Sequence, residues 1–155
     1  SDARRYPAID PLISWSKYSG FVDPETKEKC RAILYRSNEI SQMMKVIGEE
    51  GTSLKDYIEY LKGDFFDFVY LQQNAFDPVD EATVRERQVY LLEFICRILD
   101  AEFSLEDKPA ALHFFQTLRQ LIRTWNSVEY NSQEFKKIES EILMLLEAKK
   151  IKEDK

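Results

Sequence analysis

A chain of 155 residues is long enough for one domain with a real core, and its 44% hydrophobic share is ordinary for a globular protein. A formal net charge of −6 with no dense basic face excludes nucleic acid as a partner. The sequence carries no signal peptide and no run of about 18 apolar residues, so direct membrane insertion is not expected.

The chain starts without Met, and Ser1-Asp2-Ala3 runs straight into a Pro-containing motif, as expected of a fragment from a longer protein. Four Gly and five Pro are few for this length, which favours long uninterrupted elements. The exception is the start, where Pro7, Pro11, Gly20 and Pro24 lie among aromatic residues. This spacing predicts a short helix over residues 12–18 and otherwise irregular chain. Residues 1–23 are therefore expected to be a connecting segment. A helical bundle over 24–150 and a frayed tail over 151–155 should follow.

Asp23 and Pro24 supply an N-cap and a first-position proline for the first long helix, predicted over 24–47. Its apolar positions are Cys30, Ile33, Leu34, Ile40, Met43, Met44 and Ile47, at steps of three and four. Gly48 is a suitable stop, and the short link that follows demands an antiparallel return. Ser53 caps a second helix, to about residue 74, on a stripe of Leu54, Tyr57, Ile58, Leu61, Phe65, Phe68 and Leu71.

Asp80 is the expected cap of a third helix reaching about Phe103, with Val84, Leu91, Leu92, Ile95, Ile98 and Leu99 inward. Ser104 or Asp107 starts a fourth, to about residue 127, using Leu112, Phe115, Leu118, Leu121, Ile122 and Trp125 as its inner face. Asn131 with Glu134 resembles a capping box for a fifth helix, whose inner face carries Phe135, Ile138, Ile142, Leu145 and Leu146. No strand-like alternation persists. The fold class is all-α, a compact bundle of about five helices behind a Pro-rich, largely irregular N-terminal segment.

Recognisable catalytic chemistry is missing from the sequence. No Gly-rich turn ending in Gly-Lys-Ser or Gly-Lys-Thr exists to wrap phosphate. His113 is the only histidine and reads as a helix-surface or core residue. Cys30 and Cys96, the only cysteines, read as two reduced core thiols. His and Cys are too few for a zinc site. Glu139, Glu141 and Glu147 read as a solvated face.

Two features stand apart. Glu49 and Glu50 occupy a helix–helix turn that projects them outward. Gln72, Gln73 and Asn74 close the second helix, with Phe76 just beyond and Asp77-Pro78 as a stop. Amides at a helix end often only satisfy free carbonyls, and Phe76 by default is a core residue. An aromatic ring beside amide groups also suits an adenine, which needs a stacking face and edge partners. Spacing alone leaves both readings open.

Two stretches carry a family resemblance, Arg4-Arg5-Tyr6-Pro7-Ala8-Ile9-Asp10-Pro11 and Leu71-Gln72-Gln73-Asn74-Ala75-Phe76-Asp77-Pro78. In order and spacing they resemble the C-terminal helical domain of the catalytic A subunit of V/A-type rotary ATPases. The resemblance implies that Phe76 packs on the adenine of ATP or ADP, with Gln72, Gln73 and Asn74 shaping the rim. It also implies that the turn of Glu49, Glu50, Thr52 and Ser53 touches the central rotor. Gly51 and Lys55 depart from a fully acidic tip. Implied partners are the B subunits and central-stalk subunits, in a complex peripheral to the membrane on its cytoplasmic side. ATP with Mg²⁺ would bind the parent enzyme, while this fragment alone should bind no nucleotide tightly. The rival reading is a stand-alone helical interaction module without nucleotide binding.

Overall fold

The computed structural model describes residues 24–74 and 81–151, with residues 70–74, 81–85 and 88 described by backbone alone. Five helices account for most of them: α1 (Pro24–Ile47), α2 (Leu54–Asn74), α3 (Glu81–Asp100), α4 (Lys108–Ser127) and α5 (Gln133–Lys149). A single 3-10 turn, Glu49–Gly51, joins α1 to α2. Among the described residues there is no β-strand, only an isolated antiparallel bridge between Phe103 and Lys150. The all-α expectation holds. The expected short helix over residues 12–18, the Asp80 cap and residues 152–155 lie outside the described residues.

The chain divides into two compact units at Asp100 and Ala101. In the first, α1 packs on α2 and, less extensively, on α3. The face of α1 that is buried carries Cys30, Leu34, Ser37 and Ile40, stepping by three and four residues. Tyr57, Ile58, Leu61, Phe65, Phe66 and Val69 of α2 are buried, as are Leu91, Leu92, Ile95, Ile98 and Leu99 of α3. Burial of the aliphatic and aromatic groups stabilises the unit by roughly 1.5–3 kcal/mol for each large side chain.

The expected inner stripe of α1 fails in its last turns. Met43 is 44% exposed and Ile47 50% exposed. The facing start of α2 carries Ser53, Lys55 and Asp56 beside a single Leu54, too little apolar surface to cover both. Ser37 was not expected inside. It is buried because its hydroxyl donates to the Tyr60 carbonyl at 3.2 Å, where α2 comes close enough to accept it.

The second unit is the α4–α5 pair with its flanking chain. Asp107, not Ser104, caps α4: its carboxylate accepts from the Ala110 N–H at 2.9 Å, with Pro109 in the first turn. Ser132 caps α5, its hydroxyl accepting from the Phe135 N–H at 3.1 Å. The expected cap, Asn131, instead takes a left-handed φ of 67°, a conformation asparagine tolerates, and so turns the chain into the helix.

The third helix also stops at Asp100, earlier than expected. Phe103 serves a different purpose: its ring packs against Phe114 (4.9 Å between centroids) and edge-on to Phe115 (6.2 Å). The neighbouring backbone pairs with the end of α5, through Ser104 N–H to Lys149 O (2.7 Å) and Ile151 N–H to Glu102 O (2.9 Å). Trp125 closes the other end. Its ring stacks on Phe135 at 4.8 Å, and its Nε1–H donates to the Phe135 carbonyl at 3.0 Å.

Candidate functional site

The turn between α1 and α2 is built by backbone chemistry. Gly48 ends α1 by donating its N–H to the Met44 carbonyl at 2.9 Å. Its φ of 83° with ψ of 163° lies in a region essentially closed to residues with a Cβ. The carbonyls then find partners within the turn. Gly48 O accepts from the Gly51 N–H (3.2 Å) and from the Thr52 hydroxyl (3.0 Å), and Glu49 O accepts from the Thr52 N–H (3.0 Å). Ser53 caps α2, its hydroxyl accepting from the Asp56 N–H at 3.1 Å.

Of the four residues expected to touch a rotor, three are thus engaged inside the turn. Thr52 is buried, and the Ser53 hydroxyl serves as a cap. The Glu49 carboxylate accepts from the Tyr57 hydroxyl one turn into α2. Burial, then the Glu49 charge, pushes the Tyr57 phenol above its ordinary range. Tyr60, Asp64 and the hydrogen bond to Glu49 act in the same direction. Glu49 and Glu50 are both exposed.

A second clasp lies further up the helix pair, where Arg36 Nη2 meets Asp56 Oδ1 at 3.1 Å and Arg36 Nη1 lies 3.8 Å from Glu39. The result is a short, internally tied turn. Beside it, at the end of α1, Met43, Val46 and Ile47 are exposed; Val46 is 85% exposed.

Gln72, Gln73 and Asn74 are the last three residues of α2. Phe76 lies outside the described residues. His113 is exposed on α4, as the surface reading expected. Among the described residues, no three His, Cys, Asp or Glu side chains gather to hold a metal, and no helix is long and apolar enough to cross a membrane.

Sequence reasoning overlooked three features. Neither the Glu49–Tyr57 tie nor the Arg36–Asp56 pair follows from the residue types: the first spans the turn, and in the second Arg36 reaches about two helical turns along α2 from the register in which Ser37 faces Gly63. Lys62 is the third. It is buried on α2 with its Nζ 3.5 Å from Glu59, one helical turn earlier. Lys62 lies four residues after Ile58 and four before Phe66, both buried, so burial of its stem was readable from the helical period.

Comparison with known proteins follows the same lines. Residues 21–109 match the family model described as the C-terminal domain of V and A type ATP synthase. The chain is 46% identical over 151 residues to the V-type ATP synthase alpha chain of Borrelia duttonii (strain Ly), covering 97% of this chain and 26% of that protein. It is 45% identical to the protein of the same name from Borrelia garinii subsp. bavariensis and 44% identical to that of Borreliella burgdorferi (strain ZS7), over the same shares. The chain therefore spans about a quarter of the length of these relatives. No solved structure matches. Matched over nearly its whole length at this identity, and helical without a strand among the described residues, the chain belongs to the family of C-terminal domains of V- and A-type ATP synthase alpha chains.

Proposed function

We propose that this domain forms the adenine side of a nucleotide site and relays motion from that site to a central rotor. Phe76 stacks on the base, and Gln72, Gln73 and Asn74 at the end of α2 line the rim. Phosphate chemistry, with Mg²⁺, belongs to the remainder of the longer alpha chain. Closure of that site on ATP carries the end of α2 with it. The motion passes along α2 and α1 to the turn at Glu49, Glu50, Thr52 and Ser53, which presses on the rotor. In the assembled enzyme, with B subunits and central-stalk subunits, this would couple ATP hydrolysis or synthesis to proton or sodium movement. The complex would sit peripheral to the membrane, on its cytoplasmic side.

The observation that carries this reading is the similarity of 97% of this chain to alpha chains of which it covers 26%. The geometry is in keeping with it. One continuous helix, α2, has the expected adenine-side residues at its last turn and the tied turn at its start. Close-packed helices move as units, so displacement at one end reaches the other.

The test is Phe76→Ala in an alpha chain assembled with its partner subunits. Nucleotide affinity should fall by roughly tenfold or more, given the ~1–3 kcal/mol that stacking a base on an aromatic ring supplies. The helical content of the isolated domain should stay unchanged. Unaltered affinity with an intact fold removes Phe76 from the pocket.

A further inference from the structure

Seven large hydrophobic side chains stand exposed among the described residues, and three of them fall within five positions at the end of α1: Met43 (44%), Val46 (85%) and Ile47 (50%). Spacing of three and four residues makes them neighbours on the helix surface. At about 100° per residue, Val46 falls opposite the buried stripe of Cys30, Leu34, Ser37 and Ile40. The cluster is continuous with the turn, since a Cβ added to Gly51 would touch the Ile47 Cβ at 3.4 Å. We propose that Met43, Val46 and Ile47 are the face by which this domain holds a central-stalk subunit, and that the stalk meets them with an apolar surface bordered by basic groups. This inference rests on the rotor contact of the proposed function and changes what makes that contact.

Apolar side chains exposed singly are ordinary, whereas a cluster rimmed by charge marks a surface that another molecule covers. The turn itself has little left to offer a partner: Thr52 is buried and the Ser53 hydroxyl caps α2. What faces outward is the apolar cluster and the carboxylates around it. Glu39 precedes Met43 by one helical turn with its side chain 69% exposed, and Glu49 and Glu50 follow Ile47, both exposed. Lys45 is the only cation between residues 39 and 50. The rim is therefore acidic, and its complement is basic.

The place of the cluster favours a separate subunit as its occupant. The larger part of an alpha chain precedes a C-terminal domain and reaches α1 at its Pro24 end, about 30 Å along the helix from Val46. Apolar contact also suits a moving partner. It has no preferred direction, so it persists while the stalk surface changes orientation, and the acidic rim steers the approach.

The test uses an alpha chain containing this domain, assembled with its B and central-stalk subunits. Cys30 and Cys96 are buried, so a cysteine placed at Val46 is the reactive one in the domain. Val46→Cys carrying a benzophenone maleimide should crosslink to a central-stalk subunit on irradiation, and ATP turnover should then stop. Glu28→Cys, exposed and about 27 Å back along α1, should give no such product. Val46→Asp should leave thermal melts unchanged, because the side chain is 85% exposed, while ion movement per ATP hydrolysed is lost. Val46→Leu should keep it. Crosslinks to a B subunit or to another alpha chain, or unchanged ion movement per ATP in Val46→Asp, would overturn the proposal. A Glu50→Cys probe separates this inference from the rotor reading beneath it. Capture of the stalk through position 50 alone leaves the turn as the contact and removes the apolar face; capture through neither position removes both.

Discussion

Ser37 of α1 and Gly63 of α2 lie against each other at the contact between the two helices. A Cβ added to Gly63 would lie 2.7 Å from the Ser37 Cβ and closer still to its hydroxyl. That hydroxyl is already committed to the Tyr60 carbonyl. The seam between the helices that link the turn to the end of α2 therefore depends on a missing side chain.

Gly63→Ala tests that seam. Two effects oppose each other. Alanine favours the helix over glycine by about 1 kcal/mol. Overpacking a well-filled contact costs about 1–3 kcal/mol, and here the obstacle includes a Cβ that cannot swing away. The steric term should win. Thermal melts should show a lower Tm and urea titrations a lower midpoint. A stabilised Gly63→Ala chain would show that the helices can separate freely at this point.

Tyr57 should make the domain sensitive to alkali. Its phenol is raised above the ordinary value of 10.0, so the folded state holds the proton more tightly than the unfolded chain does. Its contribution is complete below about pH 10 and is lost as pH rises through the folded value. Cys30, also raised from an ordinary 9.0, adds a loss of the same sign that starts lower. Comparison with Tyr57→Phe isolates the tyrosine part. The variant should be less stable near neutrality by about 0.5–1.5 kcal/mol, the net value of a typical hydrogen bond. The gap to wild type should shrink above pH 10. A constant gap across that range would mean that Tyr57 and Glu49 do not interact.

Much of this architecture was legible because it rests on periodicity. Leu91, Leu92, Ile95, Ile98 and Leu99 recur at helical spacing and all are buried. What periodicity cannot see is the partner. Met43 and Ile47 continue the apolar stripe of α1, yet the helix facing them begins with polar residues, so they remain exposed. Ser37 is buried for the converse reason, because a glycine opposite admits it. Asn131 and Ser132 are both good caps by type. The choice between them turned on which backbone entered the left-handed region. At the candidate site, the position of the turn was readable from Gly48 and Ser53. That Glu49 would be tied to Tyr57 was not, because the tie spans a turn whose geometry the residue types alone do not specify.

In the second unit, Trp125 should prove the costliest side chain to remove. It is fully buried, stacks on Phe135 and donates to the Phe135 carbonyl. Trp125→Ala should destabilise by about 3–5 kcal/mol. Trp125→Phe keeps a ring but leaves the carbonyl without this donor, for a loss of about 1–3 kcal/mol. Circular dichroism melts of the two variants should rank in that order. Equal losses would mean that the hydrogen bond contributes nothing beyond ring packing.

The two glutamates of the turn should behave differently, although they are adjacent and both exposed. Glu49 accepts from Tyr57, so Glu49→Ala removes a tie within the turn. It should lower stability by about 0.5–1.5 kcal/mol. Glu50→Ala should stay within about 0.5 kcal/mol of wild type, as surface substitutions usually do. In the assembled enzyme the order should reverse if the turn meets a rotor. Glu50 is then the carboxylate that a partner meets, and Glu50→Lys should uncouple hydrolysis from ion movement more strongly than Glu49→Gln. Stability melts on the domain and coupled-transport assays on the complex separate the two roles. If both variants lower coupling only in proportion to lost stability, the turn stiffens the helix pair and touches nothing.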